Sequence, residues 1–237
     1  MLLFIKMKKL VVLSGAGISA ESGLKTFRDA GGLWEKYPVM EVASYEGWVK
    51  NPELVLQFYN DRRKQAFSAK PNKGHTGLAE LEKWFDVSVI TQNVDNLHEK
   101  AGSSKIIHLH GELSKVHSTT NPENIKDIGE TEIRMGDLAP DGGQWRPHIV
   151  WFGEAVPMIE TAAEEVKQAD YFAVVGTSLN VYPAAGLLRY LPRNTPVFVI
   201  DPNEVTVPWN LKTHIIRKGA GEGVEILQSM LFELEGI

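Results

Sequence analysis

The segment from Lys9 to Arg28 restricts the fold of this chain more than any other part of the sequence. It opens with Leu10 to Leu13, an apolar run without a helical period, and continues directly into the glycine turn GAG. Small residues that are able to start a helix follow the turn. This order of strand, glycine turn and helix is typical of an α/β protein with a parallel sheet.

The glycine turn also predicts a phosphate-binding site. Gly15 and Gly17 allow the backbone to turn sharply, and N–H groups at a helix start attract anionic oxygen. GAGISA fits the dinucleotide pattern GxGxxA, although such turns also occur with a purely structural role. An ordinary dehydrogenase has an acidic residue at the end of a second strand about 20 residues later. KYPVMEVASYEGW stands there instead, which indicates an insertion.

Composition excludes several classes of protein. With 237 residues, 43% of them apolar, the chain can bury a full core in one domain with an insertion or in two unequal lobes. A net charge of -5 and scattered basic residues argue against nucleic acid as a partner. No segment approaches the ~20 apolar residues of a membrane helix, and the first apolar run is too short for a secretory signal. We therefore expect a cytoplasmic protein with no membrane partner.

The remaining sequence predicts five or six buried parallel strands with helices between them, interrupted twice. The expected fold is a Rossmann-like, doubly wound parallel sheet over residues 1–30, 72–113 and 148–237, with a smaller lobe from residues 31–71 and 114–147. The opening helix is expected to end at Phe27 and Arg28, and Pro183 to Leu191 is expected to be a helix. KIIHLHGEL and IVWFGE are each predicted to form one strand, whereas the second insertion lacks a strong period.

TQNVDNLH (91–98) and HLHGE (108–112) resemble the sirtuins, which are NAD-dependent protein-lysine deacylases. The resemblance covers nearly the whole chain and includes GAGIS (15–19), FR (27–28), QNVD (92–95), HGE (110–112), VWFGE (150–154) and GTSLNVYPAA (176–185). Tyr59 and Arg62 resemble the YxxR pair of class III sirtuins, which remove acidic acyl groups.

The resemblance implies that His110 is the catalytic base. In the family's reaction the acyl-lysine oxygen attacks the ribose carbon that carries nicotinamide, and a histidine then deprotonates the ribose hydroxyls. A pKa of about 6.5 suits proton removal near neutral pH. A lone histidine is more often a structural residue, but the HGE motif favours catalysis here. His108, on the same face, has no motif role and is interpreted as structural.

The resemblance also implies the NAD contacts. They are Gly15, Ala16, Gly17, Ile18, Ser19, Phe27, Arg28, Trp34, Gln92, Asn93, Val94, Asp95, Gly176, Thr177, Ser178, Asp201, Pro202, Asn203 and Ala220. Asn and Asp are also favoured as helix caps, a role compatible with cofactor binding. Ordinary strand-to-loop turns are the competing interpretation for the residues from Gly176 onward.

For the acylated protein, the resemblance implies an edge formed by Val150, Trp151, Phe152 and Gly153, which pairs with the substrate peptide. Ala43 would leave the acyl pocket roomy, and Tyr59 and Arg62 would contact an acidic acyl group. The alternatives are core residues for the edge and an exposed helix face for Tyr59 and Arg62.

One departure from the family is large. Most sirtuins carry four zinc-binding cysteines after HGE, whereas this chain has no cysteine and places Ser118 where the first is expected. Ser, Thr and the lone His117 of this segment do not make a tetrahedral zinc site. We therefore expect no metal, and a lobe that is held by packing and turns.

The leading functional prediction is NAD-dependent removal of acetyl and, preferentially, succinyl or malonyl groups from lysines of protein substrates by a monomer. ADP-ribosyl transfer to a protein would use the same pocket without Tyr59 or Arg62. A noncatalytic NAD or ADP-ribose sensor would not require His110, Asn93 and Asp95. A metal-dependent hydrolase built on His108 and His110 lacks a convincing set of further ligands.

Overall fold

The structure is a computed structural model that describes residues 7–25 and 37–237. The strands are β1 (Lys9–Ser14), β2 (Asp86–Thr91), β3 (Ile106–His108), β4 (Gly111–Ser118), β5 (Ile125–Asp127), β6 (Trp145–Ile149), β7 (Tyr171–Val175), β8 (Val197–Ile200) and β9 (Thr213–Ile216). The helices are α1 (Ala16–Ala20), α2 (Val39–Val42), α3 (Tyr45–Lys50), α4 (Pro52–Ser68), α5 (Lys73–Leu81), α6 (Leu97–Ala101), α7 (Ile159–Val166), a 3₁₀ helix (Ala184–Tyr190) and α8 (Ala220–Glu235). Within these ranges, none of the helices is long and apolar enough to cross a membrane.

The larger sheet has six strands in the order β3-β2-β1-β7-β8-β9, and every neighbouring pair is parallel. The chain leaves β1 toward β2 and β3 on one side and later continues through β7, β8 and β9 on the other. The strand order therefore reverses between β1 and β7, where open α/β sheets bind ligands. This arrangement confirms the predicted Rossmann-like fold.

Successive residues of β1 serve two different cores because side chains alternate across a strand. Leu10 and Val12 join a cluster with α5 and α8, whereas Val11 and Leu13 join a cluster with α7 and the 3₁₀ helix. All six residues of β1 are buried. A strand buried on both faces has no polar alternation, which is why the sequence shows a continuous apolar run.

The two insertions pack together into a smaller lobe. β5, β4 and β6 form a three-stranded antiparallel sheet, and a third core cluster joins it to the helices of the first insertion. In α4, Asn51 is the N-cap and its side chain accepts the Leu54 N–H at 3.1 Å, as the Asn-Pro pair predicts. The second insertion forms regular strands although its sequence lacks a strong period, because their stability comes from pairing and from core residues distant in sequence.

Several predicted boundaries were wrong. The opening helix ends at Ala20, ahead of a turn in which Gly23 has φ +82°, and Pro183–Leu191 is mainly a 3₁₀ helix. KIIHLHGEL is divided between β3 and β4, which belong to different sheets. The strand predicted at residues 149–154 lies instead at Trp145–Ile149. These residues are less apolar than 149–154, but they are the ones that pair with β4.

Gly111 stands where the chain passes from the larger to the smaller sheet. It has φ +82°, and a Cβ there would lie 1.9 Å from the His148 carbonyl oxygen. We expect Gly111→Ala to lower the free energy of unfolding by at least about 2 kcal/mol, because the left-handed backbone and the clash both oppose the side chain.

Gly129→Ala is the matched control for Gly111→Ala. Gly129 also has a positive φ, +55°, but an added Cβ meets nothing within 4 Å. Its substitution adds backbone strain alone, about 1 kcal/mol. Urea unfolding of both variants measures the difference in the free energy of unfolding. Equal decreases in the two variants would show that the contact with His148 does not restrict position 111.

Candidate active site

The predicted cofactor residues gather at the carboxyl edge of the larger sheet, where the turns after β1 and β7 touch. The Gly15 N–H donates to the Val175 carbonyl at 3.0 Å, and the Gly17 N–H donates to the Gly176 carbonyl at 2.8 Å. A Cβ on Gly17 would lie 2.6 Å from the Gly176 Cα. The two glycines therefore permit close packing of the turns. Their N–H groups, which the glycine pattern predicted to bind phosphate, donate instead to backbone carbonyls of the protein.

The loop after β2 carries a buried polar network. The Asn93 side-chain amide donates to the Gly15 carbonyl and to the Ser19 hydroxyl, both at 3.2 Å. Ser19 donates to Asp95 at 3.0 Å, and the other Asp95 oxygen accepts the Leu97 N–H at 3.1 Å. Burial raises the pKa of Asp95, and these two hydrogen bonds oppose that shift. Asp95 thus bonds the start of α6 and also contacts the helix after the glycine turn.

His110 has the tautomer that a general base needs. Its Nδ1 lies 3.0 Å from the Gln92 carbonyl oxygen, which only accepts hydrogen bonds, so Nδ1 carries the proton. In the neutral ring Nε2 then holds a free lone pair. Burial lowers the pKa of His110 and keeps this ring neutral near pH 7. The Gln92 side chain donates to the Thr177 hydroxyl at 3.0 Å and so links the β2 and β7 loops.

The side chains at this edge fit a dinucleotide by their chemistry. Ribose hydroxyls require acceptors and donors, which Asp95, Asn93 and Gln92 provide close to His110. Asp201, 5% exposed, follows β8 and accepts the Asn203 N–H at 2.8 Å. The other predicted contacts at this edge are the buried Ile18 and Ala220, the half-buried Ala16, Val94 and Ser178, and the exposed Pro202 and Asn203. Phe27, Arg28 and Trp34 lie outside the described residues.

A second group of predicted residues, those expected to contact the acyl group, packs together. The Trp151 indole N–H donates to the Tyr59 hydroxyl at 3.0 Å, and their exposed fractions are 2% and 3%. The Phe152 N–H donates to the Ala43 carbonyl at 2.9 Å. Tyr59 is therefore buried, unlike a residue on an exposed helix face, and the predicted acyl-pocket residues Ala43, Tyr59 and Trp151 share one cluster.

Arg62 lies on the same side of α4 as Tyr59. Burial lowers the pKa of Arg62, while the nearby Tyr59 and Asp95 oppose the shift, so the guanidinium remains charged. Its neighbour Arg63 serves another purpose: it donates to the Leu113 carbonyl at 2.6 Å and to the Asn60 side chain at 2.7 Å. Arg62 thus adds charge near Tyr59 and the Asp95 loop, and Arg63 ties α4 to β4.

Arg146 is a residue that sequence reasoning missed. Its guanidinium lies 3.4 Å from the Trp151 ring centroid and donates to both Glu154 oxygens, at 2.8 and 3.1 Å. Glu154 also accepts the Trp151 N–H at 2.8 Å. A planar arginine fork matches a carboxylate and stacks well on an aromatic face. The pair therefore fixes the position of Trp151, and the glutamate of VWFGE was the available signal.

Two buried histidines beneath the loop were also missed. His98 Nε2 lies 2.9 Å from the Ser14 hydroxyl, and His75 Nε2 lies 3.5 Å from the Ser19 hydroxyl. Burial lowers the pKa of His75 to about 4 and that of His98 to about 3. Both rings are thus neutral near pH 7. PNKGH indicates only a helix start, and no sequence pattern predicts a ring next to Ser19.

Among the described residues, Glu99, His108 and Glu112 are the group with a metal-binding spacing. Glu99 is paired with His108 at 2.7 Å, and Glu112 is paired with Lys115 at 2.6 Å. Each carboxylate of this group therefore already has a partner within the protein. His110 is not a member, and the metal-dependent hydrolase gains no ligand set from this part of the chain.

Ser118, in the position of an expected cysteine, makes hydrogen bonds. Its hydroxyl donates to Asp141 at 2.8 Å, and the same carboxylate oxygen accepts the Gly143 N–H at 3.1 Å. His117, the one histidine of its own segment, has a partner from β6: its Nδ1 lies 3.1 Å from Nδ1 of His148. Tertiary pairing of β4 with β6 brings the two together, but in the described ranges they belong to no group of three metal donors.

We expect the purified protein to contain no stoichiometric zinc and to keep its activity in a chelator. The physical reason is that Ser118 and Asp141 join the segments that thiolates would otherwise join through a metal. Metal analysis by mass spectrometry, and unfolding curves with and without chelator, measure this. A stoichiometric zinc ion, or destabilisation by the chelator, would contradict it.

Known proteins match this arrangement over most of the chain. The Sir2 family model matches residues 15–183. An NAD-dependent protein deacylase of Bacteroides thetaiotaomicron is 62% identical over 230 residues, which are 95% of this chain and 98% of that protein. A solved Sir2 homologue in complex with NAD is 39% identical with a TM-score of 0.84, and the match covers 95% of this chain and 91% of the other. Sir2 bound to acetylated peptide is 28% identical with a TM-score of 0.77, covering 98% and 94% of the two chains.

The family match includes the glycine turn, the loop after β2, His110 and residues 150–153. The same segments meet at one edge of the sheet, so the sequence match and the geometry agree. The resemblance inferred from the motifs is confirmed, and the chain belongs to the Sir2 family.

Proposed function

We propose that this NAD-dependent protein deacylase removes succinyl and malonyl groups from protein lysines in preference to acetyl. Bound NAD supplies the ribose carbon that reacts and the ADP-ribose that receives the acyl group, giving nicotinamide, O-acyl-ADP-ribose and free lysine. The observation that carries the acyl preference is the charge of Arg62 close to Tyr59, which is bonded to Trp151 in a cluster that also includes Ala43.

A carboxylate that enters a buried pocket loses its hydration, so it binds well only where charge and donors replace water. Arg62 offers a planar fork for bidentate binding. Tyr59 accepts a hydrogen bond from Trp151, which leaves its own O–H to donate to a ligand oxygen. Burial raises the pKa of Tyr59, so that proton is retained at every physiological pH.

His110 acts as the proton acceptor in this proposal. Its Nε2 lone pair is free because Nδ1–H donates to Gln92, and its lowered pKa keeps the ring unprotonated near neutral pH. The Gln92–Thr177 hydrogen bond holds the backbone carbonyl that orients the ring. Asn93 and Asp95 are proposed to meet the nicotinamide and ribose side of NAD.

The protein substrate is proposed to bind along Val150–Gly153. The N–H groups of Val150, Trp151 and Phe152 donate to His110, Glu154 and Ala43 within the protein. Because these three N–H groups already have acceptors, a substrate strand would pair with the carbonyl groups of this edge. It would also pair with Gly153, which is exposed. The active unit is proposed to be a monomer.

The test is incubation with NAD and matched succinyl-lysine, acetyl-lysine and unmodified peptides, followed by mass spectrometry. We expect O-succinyl-ADP-ribose and free lysine to form faster than the acetyl products. ADP-ribose attached to a protein acceptor would indicate the transferase, and NAD binding without turnover would indicate the sensor. Faster deacetylation than desuccinylation would contradict the acyl preference.

A further inference from the structure

His108 and His110 hold neighbouring carbonyls of the same loop. His110 Nδ1 lies 3.0 Å from the Gln92 oxygen, and His108 Nδ1 lies 3.2 Å from the Asn93 oxygen. The two histidines are two residues apart at the end of β3, so both rings face the loop that follows β2. The loop is therefore anchored at two successive peptide groups.

His108 differs from His110 in its second nitrogen. His108 Nε2 lies 2.7 Å from Oε1 of Glu99 in α6, and its side chain is only 9% exposed. A backbone carbonyl and a carboxylate both act as acceptors, so the two bonds together require two N–H groups. His108 makes both bonds only as an imidazolium.

We propose that His108 is a positioning residue for the deacylation reaction, because its imidazolium ties the Asn93 carbonyl to Glu99 and so fixes the loop that orients His110. This inference rests on the proposed function for its kinetic effect, but the hydrogen bonds themselves do not depend on it. The loop also carries the Asn93 amide that bonds Gly15 and Ser19, so a loosened carbonyl would disturb the cofactor edge as well.

The charges around His108 support the imidazolium. Burial alone would lower the pKa of His108, but the hydrogen bond and charge of Glu99, with a smaller contribution from Glu112, raise it above the usual 6.5. The other charged or titratable groups near this cluster are Lys115, which is paired with Glu112, and Asp95 and His98. The pKa of His110 is shifted in the opposite direction.

The opposite shifts predict a bell-shaped dependence of kcat/KM on pH. As pH falls below 6.5 and through the lowered pKa of His110, the base becomes protonated and activity falls. As pH rises through the raised pKa of His108, the ring keeps one N–H, one of its two bonds is lost and activity falls again. The acid limb belongs to His110 and the alkaline limb to His108.

Three substitutions test the alkaline limb. Glu99→Gln removes the charge and should move the limb to lower pH, whereas Glu112→Gln should move it less, because Glu112 is bonded to Lys115 and not to His108. His108→Asn places an amide donor near the position of Nδ1 and does not titrate. We expect it to keep neutral-pH kcat/KM within roughly five-fold and to abolish the alkaline limb.

His108→Leu removes both donors and should lower kcat by at least roughly ten-fold at every pH. Circular dichroism establishes that each variant is folded. An alkaline limb that persists unchanged in His108→Asn would overturn the proposal, and so would equal shifts in the two glutamine variants.

An NMR titration of histidine-labelled enzyme separates this proposal from the proposed function. His108 should remain doubly protonated above pH 6.5 in the free protein, whether or not any acyl peptide is turned over. A His108 ring that is already neutral at pH 6.5 would refute the imidazolium anchor. An inactive protein with a protonated His108 would instead refute the deacylase proposal alone.

Discussion

His110→Ala is expected to abolish acyl removal while NAD affinity changes little. General-base catalysis contributes typically 10²- to 10⁴-fold, and the Nε2 lone pair of His110 is the group assigned to it. The ring takes a proton only after the reactants have bound, so its loss should affect kcat more than binding. Turnover by mass spectrometry and NAD binding by calorimetry provide the two measurements.

His110→Asn is the control that separates chemistry from positioning. Its amide can still donate to the Gln92 carbonyl in place of Nδ1–H, but it has no basic nitrogen. We expect it to be as inactive as alanine and closer to wild type in stability. More than a tenth of wild-type turnover in either variant would show that another group accepts the proton.

Arg62→Met is expected to reduce desuccinylation strongly and deacetylation only a few-fold. A charge-assisted hydrogen bond contributes about 1.5 to 3 kcal/mol, which is roughly 10- to 150-fold in kcat/KM. An acetyl group has no charge for the guanidinium to meet, and methionine replaces much of the apolar stem. The ratio of the two kcat/KM values is the measurement, because general damage lowers both together.

Two further substitutions serve as comparisons for Arg62→Met. Tyr59→Phe removes one neutral bond and should lower desuccinylation in the same direction by roughly five-fold. Lys64→Met deletes a positive charge from the exposed side of the same helix and should leave the ratio unchanged. If Arg62→Met lowered both activities equally, Arg62 would support the fold or NAD binding, and the acidic-acyl preference would lose its physical basis.

Sequence reasoning predicted the features whose cause is local. Leu10–Leu13 is buried on both faces of one strand, so its apolar run indicated a central parallel strand. The HGE and QNVD motifs identified His110 and the loop that binds it. Asn51 and Pro52 located the start of α4, because a cap depends on neighbours within one turn.

The features that the sequence did not reveal depend on distant partners. Arg146 stacks on Trp151 only because β6 pairs with β4, and His108 meets Glu99 only because α6 brings that carboxylate to its ring. The division of KIIHLHGEL required the left-handed backbone of Gly111 and the approach of His148. In each case the deciding contact joins segments that no periodic pattern connects.

The Ser118–Asp141 hydrogen bond also has a consequence for thiol-directed reagents. A zinc lobe held by thiolates is open to peroxide and to alkylating agents, which modify sulfur and release the metal. Here the corresponding contact is between a hydroxyl and a carboxylate, and the chain has no cysteine at all. Reagents that inactivate a thiolate-bound lobe by modifying sulfur ligands therefore find no thiol in this one.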